Sequence, residues 1–136
     1  MFEIFEHTAD LGIRVKADSF GSLLVEAARA LTSVLVDNPE SIEPVREVEL
    51  MVKGSEPEEL LVDWLAELLY RFSAEKMIFS RFTVSVHGDH VSARLQGEPV
   101  DEARHQIDTE VKAITYHGLK VERHADRWTA EVIVDL

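Results

Sequence analysis

Apolar residues recur along this chain with two periods, and the order in which those periods alternate limits the folds open to it. A period of two, which puts every second side chain on one face of a strand, runs through residues 2–6 and again through Leu11, Ile13, Val15 and Ala17. Val45, Val48, Leu50 and Val52 read as a third strand closed by Gly54. Residues 77–86 and 90–96 read as two strands joined at His87-Gly88-Asp89-His90, a hairpin signal. Residues 119–124 and 127–135 form a second such pair around Ala125-Asp126, with Trp128, Ala130, Val132 and Val134 on one face.

A helical period appears twice. Phe20, Leu23, Leu24, Ala27, Ala28, Leu31, Val34 and Leu35 form one stripe, capped by Asp18 or Ser19 and ended by Asp37-Asn38-Pro39. Leu60, Leu61, Trp64, Leu65, Leu68, Leu69 and Phe72 form the other. It opens on Ser55-Glu56-Pro57-Glu58, a capping-box pattern with Pro in the first turn. Segment 97–110 is polar and turn-rich. Residues 110–117 fit a short helix with Gly118 just past its end or a strand, the helix being the favoured assignment.

The sum is about seven or eight strands and two long amphipathic helices. Strands come in adjacent pairs instead of alternating with helices, which predicts an α+β fold with mostly antiparallel sheet. The 136 residues fit a single domain with a real core.

Charge narrows the function. Fourteen Lys and Arg face twenty-six Asp and Glu, for a net charge of −12. Nucleic-acid affinity comes mainly from basic side chains that neutralise phosphates, so direct RNA or DNA binding is not expected. A basic protein partner or metal cations suit the charge better. With no cysteine, disulfides, thiolate metal sites and a Cys nucleophile are excluded. No apolar run reaches the roughly 18 residues of a membrane span, and the first residues are acidic where a secretion signal is basic. A cytoplasmic protein is expected.

Three places carry potential chemistry. Asp10, in His7-Thr8-Ala9-Asp10 between the first two strands, either caps the turn or ligates a hard cation. At the other end, Asp135 is followed by Leu136, whose terminal carboxylate falls within a few ångströms of the Asp135 side chain. Two such anions repel unless a cation or donor separates them. If the first and last strands meet, Asp10 joins them in an oxygen-rich site for Ca²⁺, Mg²⁺ or Mn²⁺. Lys112 sits between apolar neighbours and either pairs with Glu110 or Asp108 or reaches a partner group. HExxH spacing, Gly-rich phosphate loops and a GxSxG setting are all missing from the sequence.

Three segments together resemble the archease family: His7-Thr8-Ala9-Asp10-Leu11-Gly12-Ile13, the helix Leu61-Val62-Asp63-Trp64-Leu65-Ala66-Glu67-Leu68-Leu69-Tyr70, and Glu110-Val111-Lys112-Ala113-Ile114-Thr115-Tyr116-His117-Gly118-Leu119-Lys120-Val121. The ending in Asp and one aliphatic residue resembles the family too. The resemblance implies a protein cofactor of an RtcB-type RNA ligase in tRNA splicing and RNA repair, one that promotes guanylylation of the ligase and its multiple turnover. On this reading the chain is not an enzyme. GTP, Mn²⁺ chemistry and RNA belong to the ligase. The resemblance also implies a metal site, with Ca²⁺ as the first candidate, at Asp10, Asp135 and Leu136, and a functional lysine at Lys112. Two other readings stay open. One is a small metal-dependent phosphoesterase with His7 or His117 as base. The other is a general chaperone-like adaptor.

Overall fold

The structure, a computed structural model, describes residues 1–107 and 109–136. Its elements follow the two apolar periods. Strands β1 (Phe2–His7) and β2 (Asp10–Ala17) precede helix α1 (Phe20–Leu35) and strand β3 (Arg46–Lys53). Helix α2 (Pro57–Ser73) leads into the hairpin of β4 (Met77–Val86) and β5 (His90–Pro99). Strands β6 (Ala113–Ile114), β7 (Lys120–His124) and β8 (Arg127–Asp135) complete the chain.

Every strand pairing is antiparallel. One sheet has the order β1-β2-β8-β6, with β7 also on β8; the other has the order β3-β5-β4. The inner face of the larger sheet is apolar because Ile13 and Val15 of β2 lie across from Val132 and Ala130 of β8, all essentially buried. Helix α1 packs against β2 and β8 on one side and β4 on the other, and α2 packs against α1, β3, β4, β6 and β7. Both helical stripes therefore face a common core. The Trp64 indole N–H donates to the Leu24 carbonyl at 2.8 Å, which ties α2 to α1 while satisfying the one polar atom of a fully buried ring.

The α+β expectation stands, with two local corrections. Ser55 does not cap α2: Glu56 holds the N-cap position without a side-chain bond, and Pro57 at the first helical position makes a donor-side bond unnecessary there. Ser19, by contrast, caps α1 by accepting the Ser22 N–H. Residues 110–117 form no helix. The Lys112 N–H donates to the Asp135 carbonyl and the Thr115 N–H to the Ile133 carbonyl, so the segment lies extended along β8. Pairing with an existing strand satisfies these backbone groups at once, which outweighs a weak local helical preference.

Strand β4 carries a bulge. Phe79 lies opposite Gly97 and Arg81 opposite Gln96, which leaves Ser80 as an extra residue. Phe79 and Phe82 are three apart, the wrong parity for one face of a regular strand. The extra residue sets both on the core side. Gly97 permits this: a Cβ there would come within 1.9 Å of the Ile78 carbonyl oxygen.

Candidate functional site

The site is built at one end of the larger sheet. β1 and β2 are joined by a two-residue turn, with His7 paired to Asp10. Thr8 and Ala9 both have positive φ, 27° and 69°. Such turns favour Asn-Gly because Gly and Asn tolerate that backbone region; a β-branched Thr and an Ala do so at a cost. Strain of this kind persists where the surrounding structure over-determines it, often at functional positions.

The strand register brings the distant candidates together. Leu11 pairs with Val134, so the next position on each strand sets Asp10 across from Asp135. Strand β6 lies on the far side of β8, where Ala113 pairs with Asp135. The Lys112 N–H donates to the Asp135 carbonyl at 2.8 Å. Asp10, Asp135 and the backbone of Lys112 thus occupy neighbouring strand ends although the two carboxylates are 125 positions apart in the sequence. Asp10 is half-buried, Asp135 and Lys112 are exposed, and Leu136 packs partly against the core. Lys112 makes no ion pair among the described residues; the possible pairing with Asp108 lies outside them.

Two histidines join this end. The rings of His7 and His117 meet edge to face with centroids 5.7 Å apart. His7 Nδ1 is buried and has no hydrogen-bond partner. Both residues are visible in the sequence, but their meeting depends on β6 lying along β8. Next to them, the Phe5 ring lies over Gly12, where a Cβ would come within 2.1 Å of it, and the Arg14 guanidinium sits 4.5 Å from the ring centre. Arg14 also pairs with Glu3 and Glu131. Gly12 is therefore needed for a close approach and not for a turn, a reason invisible before the sheet is assembled.

The donor set is hard oxygen, from carboxylates on adjacent strands, which suits Ca²⁺, Mg²⁺ or Mn²⁺ better than a thiophilic metal. Among the described residues no three His, Asp or Glu side chains are grouped to hold a metal ion. A metal here would draw on two side chains, those of Asp10 and Asp135, and on the main-chain carboxylate of Leu136.

A second polar cluster escaped the sequence reading. Glu98 and His105 are both buried. Glu98 accepts from the Glu43 N–H at 2.7 Å, from Arg104 and from the His105 ring at 3.1 Å, while His105 Nδ1 accepts from the Asp101 N–H at 2.8 Å. Burial pushes the Glu98 carboxyl up, but the donors from Glu43, Arg104 and His105 outweigh it and hold it below the usual glutamate value. This cluster fastens segment 100–107 to residues 36–43, where Asn38 also bonds to Arg104 and Gln106. No spacing motif announces it.

The whole arrangement has known counterparts. The Archease protein family model matches residues 2–136. Protein archease of Methanopyrus kandleri is 47% identical over 139 residues, covering 99% of each chain. That of Pyrococcus furiosus is 39% identical over 140 residues, covering 99% of this chain and 98% of its own. The solution structure of Methanobacterium thermoautotrophicum protein 1598 superposes with a TM-score of 0.86 at 32% identity, over 99% of this chain and 98% of that one. The crystal structure of a Thermotoga maritima archease, described as a possible chaperone, gives a TM-score of 0.67 at 26% identity, over 100% of this chain and 98% of that one.

Proposed function

This chain belongs to the archease family, and from that premise we propose that it is a protein activator of an RtcB-type RNA ligase, raising the ligase's guanylylation and multiple turnover in tRNA splicing and RNA repair. The observation that carries the reading is the convergence of Asp10, Asp135 and Lys112 on neighbouring strand ends. An acidic chain of net charge −12 is steered toward a basic partner surface and does not compete for RNA.

Asp10, Asp135 and the carboxylate of Leu136 would hold a divalent cation, with Ca²⁺ the first candidate and Mg²⁺ or Mn²⁺ the others. A bound cation would offset their mutual repulsion and supply positive charge for partner or phosphate oxygens. The strained Thr8-Ala9 turn fixes where Asp10 points. Lys112, exposed beside Asp135, reaches a ligase carboxylate or a nucleotide phosphate as a mobile point charge.

The test is formation of the guanylylated ligase from GTP, with and without this chain. Wild type accelerates it, whereas Asp10→Asn and Lys112→Ala do not. Equal acceleration by both variants overturns the assignment. One observation favours a second reading: His7 and His117 lie together beside Asp10, the place a base would take in a metal-dependent phosphoesterase. Metal-dependent phosphoester turnover by the purified chain alone, lost in His7→Gln, supports that reading over the first.

A further inference from the structure

Segment 100–107 lies along the segment that follows α1 and is fastened to it at several points. The Asp37 N–H donates to the Gln106 carbonyl at 2.8 Å, and Val36 and Ile107 form an isolated antiparallel bridge. Asn38 donates to the Arg104 carbonyl and accepts the Gln106 N–H. Arg104 donates to the Ser41 carbonyl at 3.2 Å. At the centre sits His105, 1% exposed, with both ring nitrogens engaged. Nδ1 accepts the Asp101 N–H at 2.8 Å, so it carries no hydrogen. Nε2 lies 3.1 Å from the Glu98 carboxylate, so it carries one. These contacts select a single tautomer of the neutral ring.

A second proton on this ring has one place to go, Nδ1, where it meets the Asp101 N–H, donor against donor. Four charged residues surround the ring. Glu98 of β5 already accepts from Nε2, and it also accepts the Glu43 N–H from the segment after α1. On the ring's own turn, the Asp101 carboxylate accepts from the Ala103 N–H and from Arg104, and Arg104 also pairs with Glu98. None of these contacts gives Nδ1 an acceptor, and a buried donor left unpaired is costly. We propose that Glu98 and His105 form a proton-gated latch: neutral His105 holds segment 100–107 against the segment after α1, and a proton on Nδ1 opens it. In the open form the exposed ring takes up that proton at the ordinary histidine value of about 6.5. The closed form binds one proton fewer. Its advantage is therefore whole above that value and shrinks as pH falls below it, by up to about tenfold in the open-to-closed ratio per pH unit. The segment leads through buried Val111 into Lys112. On the activator reading, on which this consequence rests, opening the latch loosens the lysine of the candidate site.

The test is amide hydrogen exchange of the full chain, followed by NMR from about pH 7.5 to about pH 5, with rates corrected for the intrinsic pH dependence of exchange. The amides of Asp37 and Gln106, whose bonds join the two segments, are expected to lose protection by up to about tenfold per pH unit below about 6.5. Amides in the middle of α2, such as that of Leu65, are expected to hold theirs. His105→Gln keeps an acceptor for the Asp101 N–H and a donor for Glu98 but takes up no proton, so its protection is expected to be flat across the range. A second reading needs no variant: ring ¹⁵N shifts of wild type are expected to show the Nε2–H tautomer of His105 at neutral pH, and the Nδ1–H tautomer overturns the latch. Protection at Asp37 and Gln106 that stays level or rises in acid overturns it too, as does an equal loss in His105→Gln. A loss at those two amides that leaves the Lys112 amide, bonded to the Asp135 carbonyl, fully protected overturns the coupling to the site. No ligase enters the experiment, so its failure is distinct from failure of the activator reading, which the guanylylation assay tests.

Discussion

At the scale of single residues, the candidate site comes down to carboxylates and to a turn that holds one of them. Asp10→Asn removes the charge of a proposed ligand but keeps the turn's shape. It is expected to lower Ca²⁺ affinity by at least tenfold in calorimetry, with little change in melting temperature. Ala9 at φ 69° carries strain that glycine relieves, so Ala9→Gly is expected to stabilise the chain by about 1 kcal/mol, raising Tm by about 4 °C, while loosening Asp10 and reducing ligase stimulation. Thermal melts and guanylylation assays on the same variant read both effects; a drop in Tm contradicts the strain. Glu98 behaves differently. Its carboxyl lies below its ordinary value of 4.5 in the fold, so its ionised form contributes stability that is fully present above that value and is lost as pH falls through the lowered one. Below pH 4.5 wild-type Tm is expected to fall steeply, and the Glu98→Gln variant, already less stable at neutral pH, to fall less. Parallel curves for the two proteins contradict this.

At the scale of elements, periodicity made most of the fold legible. The alternating runs became β1, β2, β3, β7 and β8, and the helical stripes became α1 and α2 within a residue or two of their ends. The segment around Lys112 was not legible, because Val111, Ala113 and Ile114 fit either period and their state is decided by β8, a partner about twenty residues away. The β4 bulge was hidden for a related reason. Phe79 and Phe82 break strand parity, and only the approach of Gly97 shows where the extra residue goes. Gly97→Ala is therefore expected to destabilise the chain by about 1–3 kcal/mol through overpacking and to disturb the amides of Ile78, Phe79 and Ser80. A neutral Tm and an unchanged spectrum contradict the proposed close approach.

At the scale of the whole molecule, the candidate site is a product of topology. Asp10 and Asp135 stood out in the sequence, but only the β2–β8 pairing places them side by side, and only β6 brings Lys112 and His117 to the same end. The buried Glu98–His105 cluster had no sequence signal, since it depends on packing between segments with no shared pattern. The role proposed for this end of the sheet starts from family membership, since geometry alone leaves it open. The most direct measurement is RNA joining by an RtcB-type ligase from the same source, with RNA in large excess over ligase, in the presence of wild-type chain or of the Asp10→Asn variant. The account predicts many turnovers per ligase with wild type and about one with the variant or with no added chain. Equal turnover in all three contradicts it.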